Sequence, residues 1–205
     1  MTSRHARVGV IGDPATAREV WLLLHGYGML ARGMLHWFRS AARSERMLIA
    51  PEGLSRFYTE LSGGKRAVGA SWTTREELDH ELSDQREYLD QVVAAFVPAG
   101  AVLHLHGFSQ GVSVATRWSL HAMRPVSRMV CWAGAIPDEV TGAGLRQVLG
   151  REPLELVVGD RDTRVPPERV EADASRLRHD GLDVVVHHFA GGHSIDPATL
   201  ATFAG

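Results

Sequence analysis

Gly107-Phe108-Ser109-Gln110-Gly111 sets one serine hydroxyl between two glycines. A hydroxyl so placed can attack a carbonyl carbon, provided a base draws off its proton. An apolar run, Ala101 to Leu105, leads into the pattern, and an apolar, helix-compatible segment, Val112 to Leu120, follows it. G-x-S-x-G between a strand and a helix is a nucleophile elbow, in which a strained turn exposes the serine above a sheet. A Cβ at Gly107 or Gly111 would collide with the neighbouring strand or helix. The Gln110 amide then opens a helix, where partial positive charge can meet an oxyanion. The competing reading is a plain tight turn with a capping serine.

The base expected is His193, which follows the last predicted strand on a loop loosened by Gly191 and Gly192. His104 and His106 lie too close to Ser109 along the chain to face it. His187 and His188 are adjacent on a strand and point to opposite faces. His25 is expected to organise a loop through hydrogen bonds. The base needs a carboxylate to fix its tautomer and stabilise imidazolium. Asp162 is assigned that role, in a loop that Val165-Pro166 would hold, and Asp160 is expected to support the turn by bonding backbone amides. A tetrahedral intermediate needs two donors for its oxygen. Gln110 N–H is one, and Tyr27 N–H, in His25-Gly26-Tyr27-Gly28, is the other.

These residues must be positioned by a sheet. Strands are expected at Arg7 to Ile11, Glu19 to His25, Met47 to Ala50, Ala101 to Leu105, Met129 to Ala133, Leu154 to Val158 and Leu182 to Phe189. Helices are expected at Met29 to Ser44, Thr74 to Val97 with Thr74 as cap, Val112 to Leu120, Glu139 to Leu149, Pro166 to His179 and Pro197 to Phe203. The continuous run Val20-Trp21-Leu22-Leu23-Leu24 suits a strand buried on both faces. Glu52 to Thr73 has no clear period and reads as a long, functional loop. Alternating strands and helices predict an α/β fold, a mostly parallel central sheet with helices on both faces. The C-terminal ends of parallel strands share one edge, where ligands bind. His25 to Gly28, Ser109, Asp162 and His193 all follow such strands and so converge on one rim.

Composition narrows the function classes. At 205 residues the chain, 1–205, fits one domain with one core. A net charge of −2 without a basic block gives no reason to expect nucleic acid. The only cysteine, Cys131, excludes an internal disulfide and is compatible with the cytoplasm. Met1 to Gly12 lacks the apolar core of a signal peptide, and no run reaches membrane-spanning length, so stable membrane insertion is not expected. A metal site is disfavoured: His187 and His188 diverge, and His104 and His106 share a face but lack acidic ligands nearby in sequence. No metal is expected.

Four motifs in order, Leu24-His25-Gly26-x-Gly28, Gly107-Phe108-Ser109-Gln110-Gly111, Gly159-x-x-Asp162-x-x-Val165-Pro166 and Gly191-Gly192-His193, resemble the α/β-hydrolase superfamily. Within it the chain is similar to the phospholipase/carboxylesterase group that includes acyl-protein thioesterases. The resemblance covers roughly Val20 to Phe203. It implies a serine ester hydrolase acting on a small-molecule ester through an acyl-enzyme, with no metal or cofactor. No insertion is large enough for a separate lid domain. Met29, Phe57, Tyr58 and Trp72 are candidate walls of an open site, with core packing as the alternative for the aromatics. Such a groove favours short- to medium-chain acyl or aryl esters. A thioesterase or lysophospholipase would use the same triad, and a non-catalytic binding protein on the same scaffold is the reading from another class.

Overall fold

A computed structural model describes residues 4–60 and 66–205. Its central sheet contains β1 (Val8–Ile11), β2 (Glu19–Leu24), β3 (Arg46–Pro51), β6 (Val102–Phe108), β7 (Arg128–Trp132), β8 (Leu154–Gly159) and β9 (Val184–Phe189). The strand order is β1-β3-β2-β6-β7-β8-β9. β1 pairs antiparallel with β3, and the other pairs are parallel.

Residues of one strand divide between two cores, as the uninterrupted apolar runs require. Val20, Leu22 and Leu24 of β2 pack with α2 (Leu78–Phe96), α3 (Gln110–Ser119), α4 (Gly142–Leu149) and α5 (Pro167–His179). Trp21 and Leu23 face the other way, onto α1 (Ala31–Phe38) and α6 (Pro197–Phe203). Among the described residues, no helix is long and apolar enough to cross a membrane.

Three expectations need correction. Glu52 to Thr73 is not an irregular loop. It contains the antiparallel ribbon of β4 (Ser55–Glu60) and β5 (Arg66–Ser71), while 61–65 lie outside the described residues. Its side chains alternate, with Phe57 and Thr59 half-buried and Tyr58 and Glu60 exposed, but the run is short and its partner strand carries Gly69 and Ala70. The helix expected from Met29 starts only at Ala31, because Met29 is held in a β-bridge to Ala70. It ends in a 3₁₀ turn at Arg39–Ala41. Thr74 does not cap α2. Its hydroxyl accepts from Glu76 N–H and donates to the Glu81 carboxylate, and the helix begins at Leu78 after Glu77 in the left-handed region (φ 48°).

One of the two central histidines gains a partner that is distant in sequence. His104 has an acidic neighbour, Glu19 of β2, with Nδ1 and Oε1 2.9 Å apart. Strand pairing brings together what the sequence separates. Among the described residues, no cluster of three or more histidine, cysteine or carboxylate side chains is arranged to hold a metal ion.

His106 is fully buried and stacks on Trp21 at 4.3 Å, with Phe38 edge-on at 5.2 Å. Trp132 Nε1–H donates to its Nδ1 at 3.3 Å. Burial holds its pKa well below 6.5, and the nearby His104, Arg128 and Arg46 act in the same direction. The unfolded chain therefore binds a proton that the folded chain resists. The stabilising contribution of neutral His106 is present above about pH 6.5 and is lost as pH falls below it. His104 and His25 are depressed in the same sense, chiefly by burial. Replacing His106 with Phe removes one such proton. The slope of unfolding free energy against pH, from urea titrations between about pH 6.5 and 5, should become shallower by up to ~1.4 kcal/mol per pH unit. An unchanged slope would contradict this account.

Candidate active site

β6 delivers Ser109 to the C-terminal edge of the sheet. Its backbone sits at φ 54°, ψ −117°, which few residues other than glycine adopt. Flanking bonds hold it there: Ser109 N–H donates to Trp132 O at 2.8 Å, and Val112 N–H donates to Ser109 O at 3.0 Å. A Cβ on Gly107 would stand 2.5 Å from Gly111 O, and one on Gly111 would run into the Leu24 carbonyl of β2. Strand and helix meet too closely for any side chain at either position, so the turn is forced.

The loops after β8 and β9 are laced together. Arg161 N–H donates to Gly191 O at 2.8 Å, and Asp160 N–H donates to Phe189 O at 2.9 Å. This lacing carries His193 to Ser109. His193 Nε2 lies 3.0 Å from Ser109 Oγ, and His193 Nδ1 lies 2.8 Å from Asp162 Oδ2. An ionised carboxylate only accepts, so Nδ1 donates and Nε2 is left to accept from the serine hydroxyl. The Asp162 side chain is inaccessible to solvent, and the His193 side chain is 11% exposed. Phe108 packs against the imidazole at 4.9 Å and is itself met edge-on by Trp37 at 5.1 Å. These two aromatics were not read from the sequence as site residues.

The roles of the two aspartates differ in part from expectation. Asp162 itself ties the turn, because its Oδ1 accepts from Arg164 N–H at 2.8 Å and Val165 N–H at 3.0 Å. Asp160 instead points outward and pairs with His188 Nδ1 at 3.0 Å. His188 also meets Glu171, whereas His187 turns to the other face and meets Glu155 at 2.6 Å.

The second loop of the site follows β2. His25 is buried, and its Nε2 accepts from Gly53 N–H at 2.9 Å, so its Nδ1–H donates to Gly26 O at 2.8 Å. Burial keeps this imidazole below the ordinary histidine pKa and therefore neutral. Gly28 adopts φ 76°. Among the described residues, Tyr27 N–H and Gln110 N–H have no hydrogen-bond acceptor. The Tyr27 ring is exposed and rests on Phe57 at 4.9 Å.

Of the four expected wall residues, Phe57 and Met29 border this loop. Tyr58 lies on the opposite face of the ribbon, 70% exposed, with Arg66 over its ring. Trp72 is only 4% exposed and sits beneath the site, its Nε1–H donating to His25 O at 2.8 Å. Sequence reasoning also missed Glu52. This buried carboxylate accepts from Arg56 Nε at 2.7 Å and from Ala31 N–H at 3.2 Å, anchoring the start of α1.

A hydroxyl backed by an imidazole and a buried carboxylate, beside two free amides, is equipped for acyl transfer. The chain belongs to the phospholipase/carboxylesterase family, whose family profile matches residues 5–204. It has the α/β-hydrolase fold of solved esterases and acyl-protein thioesterases. It is similar to esterase PE8 at 23% identity and TM-score 0.70, covering 97% of this chain and 96% of that one. Acyl-protein thioesterase 2 of Zea mays matches at 18% identity and TM-score 0.75, over 98% and 96% of the two chains. The Bacillus cereus carboxylesterase matches at 17% and 0.68, over 97% and 92%. No curated protein matches the sequence.

The ribbon is seated on the Tyr27 loop through Gly69, where a Cβ would stand 2.5 Å from Gly28 O. Gly69→Ala should destabilise the fold by about 1–3 kcal/mol through overpacking. Gly100→Ala, with open space around it, should be close to neutral. Denaturant midpoints of the two variants test this, and equal midpoints would contradict it.

Proposed function

We propose that the protein is a serine carboxylesterase that hydrolyses short- to medium-chain acyl or aryl esters through Ser109, His193 and Asp162. The observation that carries the reading is the continuous hydrogen-bonded chain from Ser109 Oγ through His193 to Asp162, ending on a serine in strained, left-handed backbone geometry. His193 Nε2 takes the Ser109 proton as Oγ attacks the ester carbonyl. The oxyanion formed is held by the Tyr27 and Gln110 amides, each contributing roughly 3 kcal/mol in the transition state. Imidazolium, stabilised by Asp162, protonates the departing alcohol and leaves an acyl-Ser109 ester. Water, deprotonated by His193, then attacks that ester and releases the acid and free Ser109. Every step runs on this chain's own groups in one domain, without a cofactor. A cytoplasmic location is part of this reading, since a single cysteine is compatible with a reducing compartment.

Phe57 and Met29 are the side chains assigned to the acyl group. The solved acyl-protein thioesterase of similar fold supports a thioesterase as the second reading. Matched oxygen esters and thioesters of the same acyl group separate the two by kcat/KM.

Ser109→Ala should abolish both hydrolysis and labelling by a fluorophosphonate probe. Asp162→Asn should lower kcat by roughly 10⁴-fold while the protein stays folded, because it favours the wrong imidazole tautomer. Across p-nitrophenyl esters of increasing length, activity should peak at short to medium chains. Full activity in Ser109→Ala would overturn the mechanism, and a maximum at long chains would overturn the substrate assignment.

A further inference from the structure

We propose that the end of β5 and the two residues after it, Ala70 to Thr73, act as a splint that sets the distance between the two oxyanion amides, with Ser71, Trp72 and the Gln110 side chain as positioning residues. The catalytic part of this inference rests on the reading under Proposed function. The two amides come from loops after different strands, β2 and β6, and one short segment is bonded to both.

On one side, Gly28 N–H donates to Ala70 O at 2.9 Å and Ala70 N–H donates to Met29 O at 3.1 Å. Trp72 Nε1–H donates to His25 O at 2.8 Å. These three bonds bracket Tyr27. On the other side, the Gln110 carboxamide is fully engaged by the same segment. Its Oε1 accepts from Trp72 N–H at 3.2 Å, and its Nε2 donates to Thr73 O at 2.8 Å and Ser71 Oγ at 3.1 Å. The Ser71 hydroxyl in turn donates to Thr73 O at 2.9 Å. Ser71 and Trp72 are both buried, which shields one side of these bonds from water.

The first residue of a helix has no structural need for a glutamine aimed away from solvent. Here the side chain supplies both an acceptor and a donor to a backbone that offers one of each. A glutamate lacks the donor and an asparagine lacks the reach. Oxyanion donors act only within about 2.7–3.1 Å of the developing charge, and a displacement of about 1 Å can cost roughly 100-fold in rate. Tying both donors to one strand end meets that tolerance.

The test uses Gln110→Met, which keeps the backbone amide and the side-chain length, together with Ser71→Ala and Trp72→Phe. Gln110→Met should lower kcat by roughly 10- to 100-fold with KM changed less than about threefold. Affinity for an arylboronic acid, which presents a tetrahedral oxyanion, should fall by the same factor as kcat/KM. The pH midpoint of kcat/KM should not move. Ser71→Ala should act in the same direction, and the double variant should fall short of the product of the two. Amide hydrogen exchange at Gly28 and Ala70 should speed up at least tenfold in Gln110→Met. Boronate affinity and exchange both within twofold of wild type would overturn the splint. If the wild type hydrolyses no ester and Ser109 takes no fluorophosphonate, the esterase reading fails, and exchange alone then decides the splint. Should Gln110→Met not fold, Trp72→Phe, which keeps the ring and removes only the bond to His25 O, carries the same readouts.

Discussion

The molecule depends on one close approach, α3 against the end of β2. Gly111 sits where a Cβ would overlap the Leu24 carbonyl, and Gly107 sits against Gly111. With both glycines in place, the chain passes from β6 to α3 in a single residue. That residue, Ser109, takes a backbone conformation of positive φ. The strain is borne by the surrounding sheet and helix rather than relieved. Its consequence is a hydroxyl held above the sheet edge, with the first amide of a helix beside it.

Around that turn, three further segments are fixed by polar contacts rather than by apolar packing. The loops after β8 and β9 are bonded to each other and bring imidazole and carboxylate into line. The loop after β2 is held by a neutral, buried His25 and by the ribbon. Asp162 has both oxygens engaged, one by His193 and the other by two backbone amides. A carboxylate satisfied this completely has one orientation available, and so does the imidazole it supports.

Other polar residues lie well away from this rim. Glu19, Arg46 and Arg128 open β2, β3 and β7, and the ion pairs Arg46–Glu19 and Arg128–Glu155 lie across the sheet, with His104 beside Glu19 and His187 beside Glu155. The stacked, fully buried His106 and the partly buried His104 bear on stability and its dependence on pH. The chemistry proposed for the opposite edge uses none of them.

The sequence by itself determined the alternation of strands and helices, the doubly buried run Val20 to Leu24, the elbow at Ser109 and the order in which serine, aspartate and histidine follow their strands. Those features are local: they depend on hydrophobic period, on glycine at a turn and on side-chain type, each readable within a few residues. Tertiary structure alone decided which groups became neighbours. It folded Ser55 to Ser71 back as a ribbon, turned Trp72 from an expected wall into a support, gave His104 a carboxylate from the next strand and drew the Gln110 side chain onto Ser71 and Thr73. Such contacts join residues tens of positions apart, and they depend on strand order and register, which no local pattern encodes.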